Sequence, residues 1–142
     1  MKNTLLILSL IIGMSTANGQ KVEPKNVPAS VKASFEKKFP GNTNVGWEKE
    51  NGQYEASYKI NKESHSATFS PDGTFLESEV NIQVSDLPSP VLGYMKQHYP
   101  GIAIGEAARI TKANGETNYE AEIKGKDVVF DANGKFLKEE KD

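Results

Sequence analysis

The sequence contains no cysteine among its 142 residues. This absence excludes a disulfide framework, a thiolate zinc site, an iron–sulfur cluster and a cysteine nucleophile. An excess of positive charge is also missing, because 17 Lys and Arg residues oppose 19 Asp and Glu residues, for a net charge of -2. A nucleic-acid binder that relies on a basic surface is therefore not expected.

Histidines are scarce as well, since only His65 and His98 occur. They form no HExxH motif and no pair at ligand spacing, so a zinc enzyme is not predicted. We expect His65 in a hairpin and His98 near a helix end, both in surface or capping roles. The sequence predicts no catalytic, cofactor-binding or metal-binding residue, and no cofactor.

One long apolar run is present, from Thr4 to Met14 behind Lys2. Its length of about 11 residues is too short for a helix that crosses about 30 Å of hydrocarbon. Small and polar residues follow it, a pattern typical of a secretory signal peptide over residues 1–19. Cleavage after Ala17 and an uncleaved membrane anchor are the alternatives. We predict an exported protein, periplasmic or secreted, with no stable membrane anchor after cleavage. Loss of Lys2 leaves 16 positive and 19 negative charges, or -3.

The remainder of the chain is an internal duplication. Phe39-Pro40-Gly41 recurs 60 residues later as Tyr99-Pro100-Gly101, and Tyr54-Glu55-Ala56 recurs as Tyr119-Glu120-Ala121. Asp72-Gly73-Thr74-Phe75-Leu76 has its counterpart in Asn133-Gly134-Lys135-Phe136-Leu137. We predict a lead-in at 20–26, a first repeat at 27–77, a linker at 78–86 and a second repeat at 87–142. A unit of about 50 residues buries little core by itself, so the two repeats are expected to share one sheet.

Each repeat begins with a helical pattern and continues with strand patterns. Apolar residues recur every four positions up to the Pro-Gly pairs, which predicts short helices near 28–39 and 88–99. Pro28 and Pro88 are expected in the first helical turn, with Asp86 or Ser85 capping the second helix. The later segments alternate between apolar and polar residues, which predicts four antiparallel strands per repeat with one face covered. In the second repeat this alternation assigns Ala108 and Ile110 to the covered face, together with Tyr119, Ala121 and Ile123.

In their order and duplication behind a signal peptide, these motifs resemble a pair of PepSY-like repeats. Similar repeats occur in exported, beta-lactamase-inhibitor-like proteins of Bacteroides-type bacteria. The resemblance implies an α+β fold in which two tandem α-β4 repeats form two layers, a continuous antiparallel sheet with two short helices on one face. It also implies inhibition or regulation of a peptidase or another enzyme. Ala107 or Ala108 stands where the first repeat has Trp47, which puts in doubt a shared partner for the two repeats.

The predicted partner-binding residues fall into two groups. The first comprises aromatic residues, which are favoured at protein interfaces but also form cores: Trp47, Tyr54 and Tyr58. The second comprises charged residues of the open sheet face: Glu48, Glu50, Glu55, Lys59, Glu120, Glu122 and Lys124. We expect these carboxylates to be solvated, with Lys59 and Lys124 as their charge partners. Because neither repeat has a large net charge, recognition is expected to depend on shape and hydrogen bonds more than on charge.

The sequence therefore favours a non-catalytic exported protein that binds a protein or peptide, as an inhibitor or regulator of an envelope or secreted enzyme such as a peptidase. The alternative is a periplasmic protein that binds a small ligand or an ion in the groove between helix and sheet. An enzyme is not predicted.

Overall fold

The structure, a computed structural model, describes residues 19–141. The predicted signal peptide lies outside these residues except for Gly19. Nine strands and two helices make up the fold: β1 Gln20–Lys21, α1 Ala29–Lys38, β2 Gly46–Glu50, β3 Gln53–Ile60, β4 Glu63–Phe69, β5 Phe75–Ile82, α2 Ser89–His98, β6 Glu106–Lys112, β7 Thr117–Ile123, β8 Lys126–Asp131 and β9 Phe136–Lys141. Short 3-10 helices at Pro24–Asn26 and Val84–Asp86 precede α1 and α2.

The nine strands form one sheet in chain order, β1 to β9, and every neighbouring pair is antiparallel. Both helices pack on the same face of this sheet. The two-layer α+β fold with a continuous sheet is thereby confirmed. The lead-in adds β1 beyond the eight strands expected, through the pairs Gln20 with Lys49 and Lys21 with Glu48.

Each helix begins one residue after the proline that was expected in its first turn. Pro28 and Pro88 are N-cap residues with extended backbone (ψ 139° and 141°), and neither helix has a side-chain cap. The expected cap by Asp86 or Ser85 is therefore wrong, because the 3-10 helix Val84–Asp86 already uses that segment. Both helices are ten residues long, too short to persist without the sheet.

Each helix covers its own hydrophobic cluster. Under α1 the ring of Phe35 lies 5.1 Å from that of Tyr58 and 5.5 Å from that of Trp47, centroid to centroid. Under α2 the corresponding cluster contains Met95 and Ala107 with Phe130. The register identifies Ala107 as the counterpart of Trp47, since Trp47 pairs with Ala56 and Ala107 pairs with Ala121.

The two repeats join through β5 and β6, which pair from Glu77 with Lys112 to Ile82 with Ala107. Residues 78–82 of the predicted linker thus form the second half of β5, and residues 84–86 form a 3-10 helix. The division into repeats at those boundaries stays a prediction.

The predicted facing of β6 is wrong by one residue. Ala107 and Arg109 face the helices, whereas Ala108 and Ile110 lie on the open face, where they pair with Asn81 and Glu79 of β5. The run Glu106-Ala107-Ala108 allows either alternation, and the pairing of Ala107 with Ala121 decides between them. A shift of one residue moves every side chain of a strand to the opposite face.

Candidate functional site

The sheet face opposite the helices is acidic. Lysines on this face are few: Lys21, Lys59, Lys112 and Lys138. The register places a larger set of carboxylates there: Glu48, Glu50, Glu55, Glu77, Glu79, Glu106, Glu120, Glu122, Asp127 and Glu140. We call this surface the open face. The antiparallel order of the strands concentrates negative charge here, although the net charge of the chain is only -2. The expectation that recognition depends on shape and hydrogen bonds more than on charge stays a prediction.

The lysine partners on this face differ from those expected. Lys112 bonds to Glu77, which is 1% exposed, and Lys138 bonds to Glu140. Lys59 pairs across the strands with Ser64, and Lys124 lies in the exposed turn between β7 and β8. The partner of Lys112 could not be anticipated, because it depends on β5 and β6 becoming neighbours, whereas Lys138 and Glu140 lie two residues apart on β9.

Three open-face carboxyls have strongly raised pKa values. Burial raises the pKa of Glu55 to about 8 and that of Glu120 to about 9, and the negative charge of Glu79 adds to both. Burial, followed by the charges of Glu77 and Asp127, raises the pKa of Glu79 to about 8. At neutral pH these carboxyls favour the protonated form, in which each can donate a hydrogen bond.

The expected solvated strand face is therefore wrong for Glu55 and Glu120. Open-face neighbours of Glu120 are Ala108 on one side and Val129 on the other, and both are buried. The residue paired with Glu79, Ile110, is buried as well. These apolar neighbours lower the local polarity and favour the neutral acid.

A cavity of about 510 Å³ opens on the first repeat. The connection between α1 and β2 forms one wall, and polar open-face residues of β3, β4 and β5 form the floor. The residues around the cavity are Gly41, Asn42, Thr43, Asn44, Gly46, Ser57, Tyr58, Lys59, Ser64, His65, Ser66, Glu79 and Asn81. This volume lies in the range of small-ligand sites. The cavity is on the open face, and the space between helix and sheet is filled by the two hydrophobic clusters.

One cross-strand row forms the cavity floor. Gly46 pairs with Ser57, Ser57 with Ser66, and Ser66 with Glu79. Short side chains in this row leave the space that longer ones would fill. Ser66 and Glu79 are 4% and 6% exposed, and neither Ser66 Oγ nor Glu79 Oε2 has a hydrogen-bond partner among the described residues. Buried polar atoms are nearly always hydrogen-bonded, so these two atoms are the most informative feature of the site.

The predicted aromatic residues lie elsewhere. Trp47, Tyr54 and Tyr58 are 7%, 8% and 4% exposed, and all belong to the cluster under α1. The sheet thus separates the predicted set into two parts. Glu48, Glu50, Glu55, Lys59, Glu120 and Glu122 share the open face, whereas Trp47, Tyr54 and Tyr58 lie beneath the helix layer.

Sequence reasoning missed Ser57, Ser66 and Glu79 as a group. Small residues such as Ser57 and Ser66 give no signal of their own in a strand. Glu79 fell in the predicted linker. The available signal was the alternation Glu77-Ser78-Glu79-Val80, which is typical of a strand with one polar face.

His65 lies within β4, not in a hairpin. Its ring stacks on Tyr58 with centroids 5.5 Å apart, on the helix side of the sheet. Burial is the main cause that lowers its pKa. His98 ends α2 as expected, with Nδ1 3.0 Å from the carbonyl oxygen of Tyr94.

Within residues 19–141, no group of three or more His, Asp or Glu side chains is placed to hold a metal ion. In the same part of the chain, no helix has both the length and the apolar character needed to cross a membrane.

Comparison with protein families gives one match over most of the chain. The family model described as "Putative beta-lactamase-inhibitor-like, PepSY-like" matches residues 14–77 and 52–138. The two matched segments overlap over residues 52–77. No curated protein matches the chain.

Several solved structures share the fold. A structure described as "putative periplasmic proteins" from Bacteroides eggerthii has 14% identity and a TM-score of 0.72, and covers 81% of this chain and 88% of its own. A DUF2874 family protein from Bacteroides uniformis has 16% identity and a TM-score of 0.71, with 80% and 88% covered. A BLIP-like protein from Bacteroides fragilis has 22% identity and a TM-score of 0.61, with 80% and 86% covered. At these identities the similarity is one of fold.

Proposed function

Because the chain belongs to the PepSY-like, beta-lactamase-inhibitor-like family, we propose that it is a non-catalytic exported protein that binds another protein through the open face. The partner class is an envelope or secreted enzyme, such as a peptidase, which the chain inhibits or regulates. The observation that carries this proposal is the acidic open face, a broad surface that no other element of residues 19–141 covers.

Two properties of the open face support binding. The buried carboxyl of Glu79 and the half-buried carboxyls of Glu55 and Glu120 lower the stability of the chain once they ionise, and a partner that supplies hydrogen bonds or positive charge would offset this cost. The broad negative field would also accelerate association with a basic surface. Nucleic acid carries the same sign of charge and is therefore not the partner we propose.

The geometry also supports a role without catalysis. Ser66 and His65 both line the cavity, but their side chains lie on opposite faces of the sheet, and the His65 ring stacks on Tyr58. A serine nucleophile needs its base within hydrogen-bond reach. Raised carboxyl pKa values do occur in active sites, but here they follow from burial first and from the negative charges of neighbouring carboxylates second.

The test is capture of partners from periplasm and culture medium with the mature chain, residues 20–142, immobilised. Wild type should recover a specific protein above an unrelated control protein. Ser57→Arg, which fills the centre of the open face with a positive side chain, should lose that protein.

Ser89→Arg is the matched control, because it makes the same chemical change at an exposed position of α2. It should retain the partner. Equal recovery by both variants would exclude the open face as the binding surface, and recovery of no specific protein by wild type would contradict the proposed function.

A further inference from the structure

The cavity on the first repeat has an identifiable ligand chemistry. We propose that it receives an arginine side chain from the protein partner, with the guanidinium group on Glu79 and Ser66. This assignment rests on the proposed function, since it names the chemistry by which the partner is recognised.

The shape of the cavity places acceptors at its base. Ser57 is exposed and lies towards the mouth, whereas Ser66 and Glu79 are more than nine-tenths buried. Ser66 Oγ and Glu79 Oε2 have no protein partner there. A ligand that enters must satisfy both atoms, because a buried oxygen without a partner has lost its hydrogen bonds to water and gained none in return.

The surrounding charges select a cation. Glu79 lies beside Glu77 on its own strand and close to Glu106 and Asp127 on the strands beyond, and all three raise its pKa through their negative charge. An anionic ligand would meet the same repulsion. Lys112 is engaged by Glu77, and Lys59 is the lysine that lines the cavity, where the carboxylates around Glu79 outnumber it.

The lining distinguishes a guanidinium from an ammonium group. A guanidinium has five N–H donors in one plane and is weakly hydrated, so it suits several acceptors held at fixed positions. The cavity offers the Glu79 carboxylate, the hydroxyls of Ser57 and Ser66, and the side-chain amide of Asn81. An ammonium group is compact and strongly hydrated and would form hydrogen bonds with fewer of these groups.

The second repeat provides an internal control. In register, the row Gly46, Ser57, Ser66 and Glu79 corresponds to Glu106, Glu122, Asp127 and Glu140. Three charged side chains replace the three short ones, the fourth position is a glutamate in both repeats, and Glu140 bonds to Lys138. We therefore assign the arginine site to the first repeat alone.

The experiment titrates N-acetyl-L-argininamide into the full mature chain and follows the Ile110 methyl groups by NMR at pH 9. Ile110 is paired with Glu79 on the open face and reports on the base of the cavity. The matched ligand is N-acetyl-L-citrullinamide, which has the same shape without charge. We expect saturable shifts with affinity about tenfold higher for the arginine compound, since hydrogen bonds between charged groups are the stronger ones.

Two isosteric variants locate the site. Glu79→Gln should remove the preference for arginine over citrulline, and Glu140→Gln, its counterpart in the second repeat, should keep it. Ser66→Ala should also weaken the binding of the arginine compound. This second variant keeps the test valid if Glu79→Gln fails to fold.

The affinity of the wild type should also rise between pH 7 and pH 9, because a carboxyl with a pKa of about 8 ionises in that interval. The charged groups around Glu79 are Glu77, Glu55, Lys59, Glu106, Lys112, Glu120 and Asp127. Glu79→Gln separates its own titration from theirs and should flatten the profile.

Equal affinity for the two compounds, or no saturable shift, would overturn the arginine assignment. If the Ser57→Arg variant nevertheless failed to capture the partner that wild type captures, the proposed function would stand. Conversely, selective binding of the arginine compound together with no captured partner would contradict the proposed function and not the chemistry of the cavity.

Discussion

The two repeats share one scaffold but differ on both faces of the sheet. Under the helices, Phe35, Trp47 and Tyr58 of the first repeat are replaced by Met95, Ala107 and Ile123 in the second. The second repeat recovers part of the lost aromatic volume through Tyr94, whose ring stacks on Phe136 at 5.1 Å. Backbone positions and turns are thus retained while the core is filled in two different ways.

The open face differs more than the core. The first repeat carries a cavity over small side chains, and the second carries a row of carboxylates at the equivalent positions. A core can be refilled without loss of the fold provided that its volume is conserved. A change on the open face alters what the surface can bind, so we propose that the two repeats differ in what they recognise.

The largest expected effect follows from separating the repeats. Residues 20–86, which contain β1–β5 and α1, should be unfolded or oligomeric when expressed alone. The outer edge of β5 would be unpaired, because it normally bonds to β6 from Glu77 to Ile82. Circular dichroism and sedimentation test this, and a monomer with a cooperative melting transition would show that the repeats do not depend on one sheet.

Truncation of the buried residue at the centre of each helix should destabilise the chain more in the first repeat, at Phe35, than in the second, at Met95. Phe35→Ala leaves four aromatic rings without their neighbour, those of Phe39, Trp47, Tyr58 and Phe69. We expect a loss of about 4 kcal/mol in the free energy of unfolding, against about 3 kcal/mol for Met95→Ala. Urea denaturation measures both, and an equal or greater loss for Met95→Ala would contradict the described difference between the cores.

The turn between β4 and β5 should tolerate replacement of its glycine less well than the turn between β2 and β3. Gly73 has φ +89°, and a Cβ there would lie 2.6 Å from the carbonyl oxygen of Ser30. Gly52 has φ +78°, with no atom within 4 Å of such a Cβ. Gly73→Ala should cost about 3 kcal/mol and Gly52→Ala about 1 kcal/mol, measured by thermal unfolding. Similar losses at the two sites would indicate that the turn moves freely away from α1.

The smallest expected effect is a dependence of stability on pH. Between about pH 5 and 8 the unfolded chain has ionised glutamates, whereas the folded chain keeps protons on Glu55, Glu79 and Glu120. The unfolded state binds fewer protons, so the free energy of unfolding falls as pH rises through this window. Glu79→Gln should reduce the fall by about 2 kcal/mol. A fall of the same size in wild type and variant would mean that Glu79 is exposed to solvent.

Much of the fold could be predicted from the sequence. The duplicated Pro-Gly and Asn-Gly pairs mark the ends of helices and strands, and the four-residue apolar spacing marks the helix faces. The register of β6 could not be predicted, because two consecutive alanines fit either face. Pairing with β7 resolves it through contacts that no local pattern contains.

The site was less predictable than the fold. Glu55 and Glu120 were identified as open-face residues, but the surroundings of Glu120 depend on Ala108 and Val129, which pair with it from the neighbouring strands, and those of Glu55 include the negative charge of Glu79. The acidic character of this face has the same origin. The sequence is nearly neutral overall, and only the order of the strands collects its carboxylates on one side.

The most direct test of the central claim, that the open face of the first repeat binds the protein partner, is site-specific photo-crosslinking in living cells. A photoreactive phenylalanine analogue at Ser57, at the mouth of the cavity, should form a covalent adduct with one protein. The same analogue at Ser89 on the helix layer should form none. Adducts from Ser89 with none from Ser57 would place the partner on the helices and contradict the account.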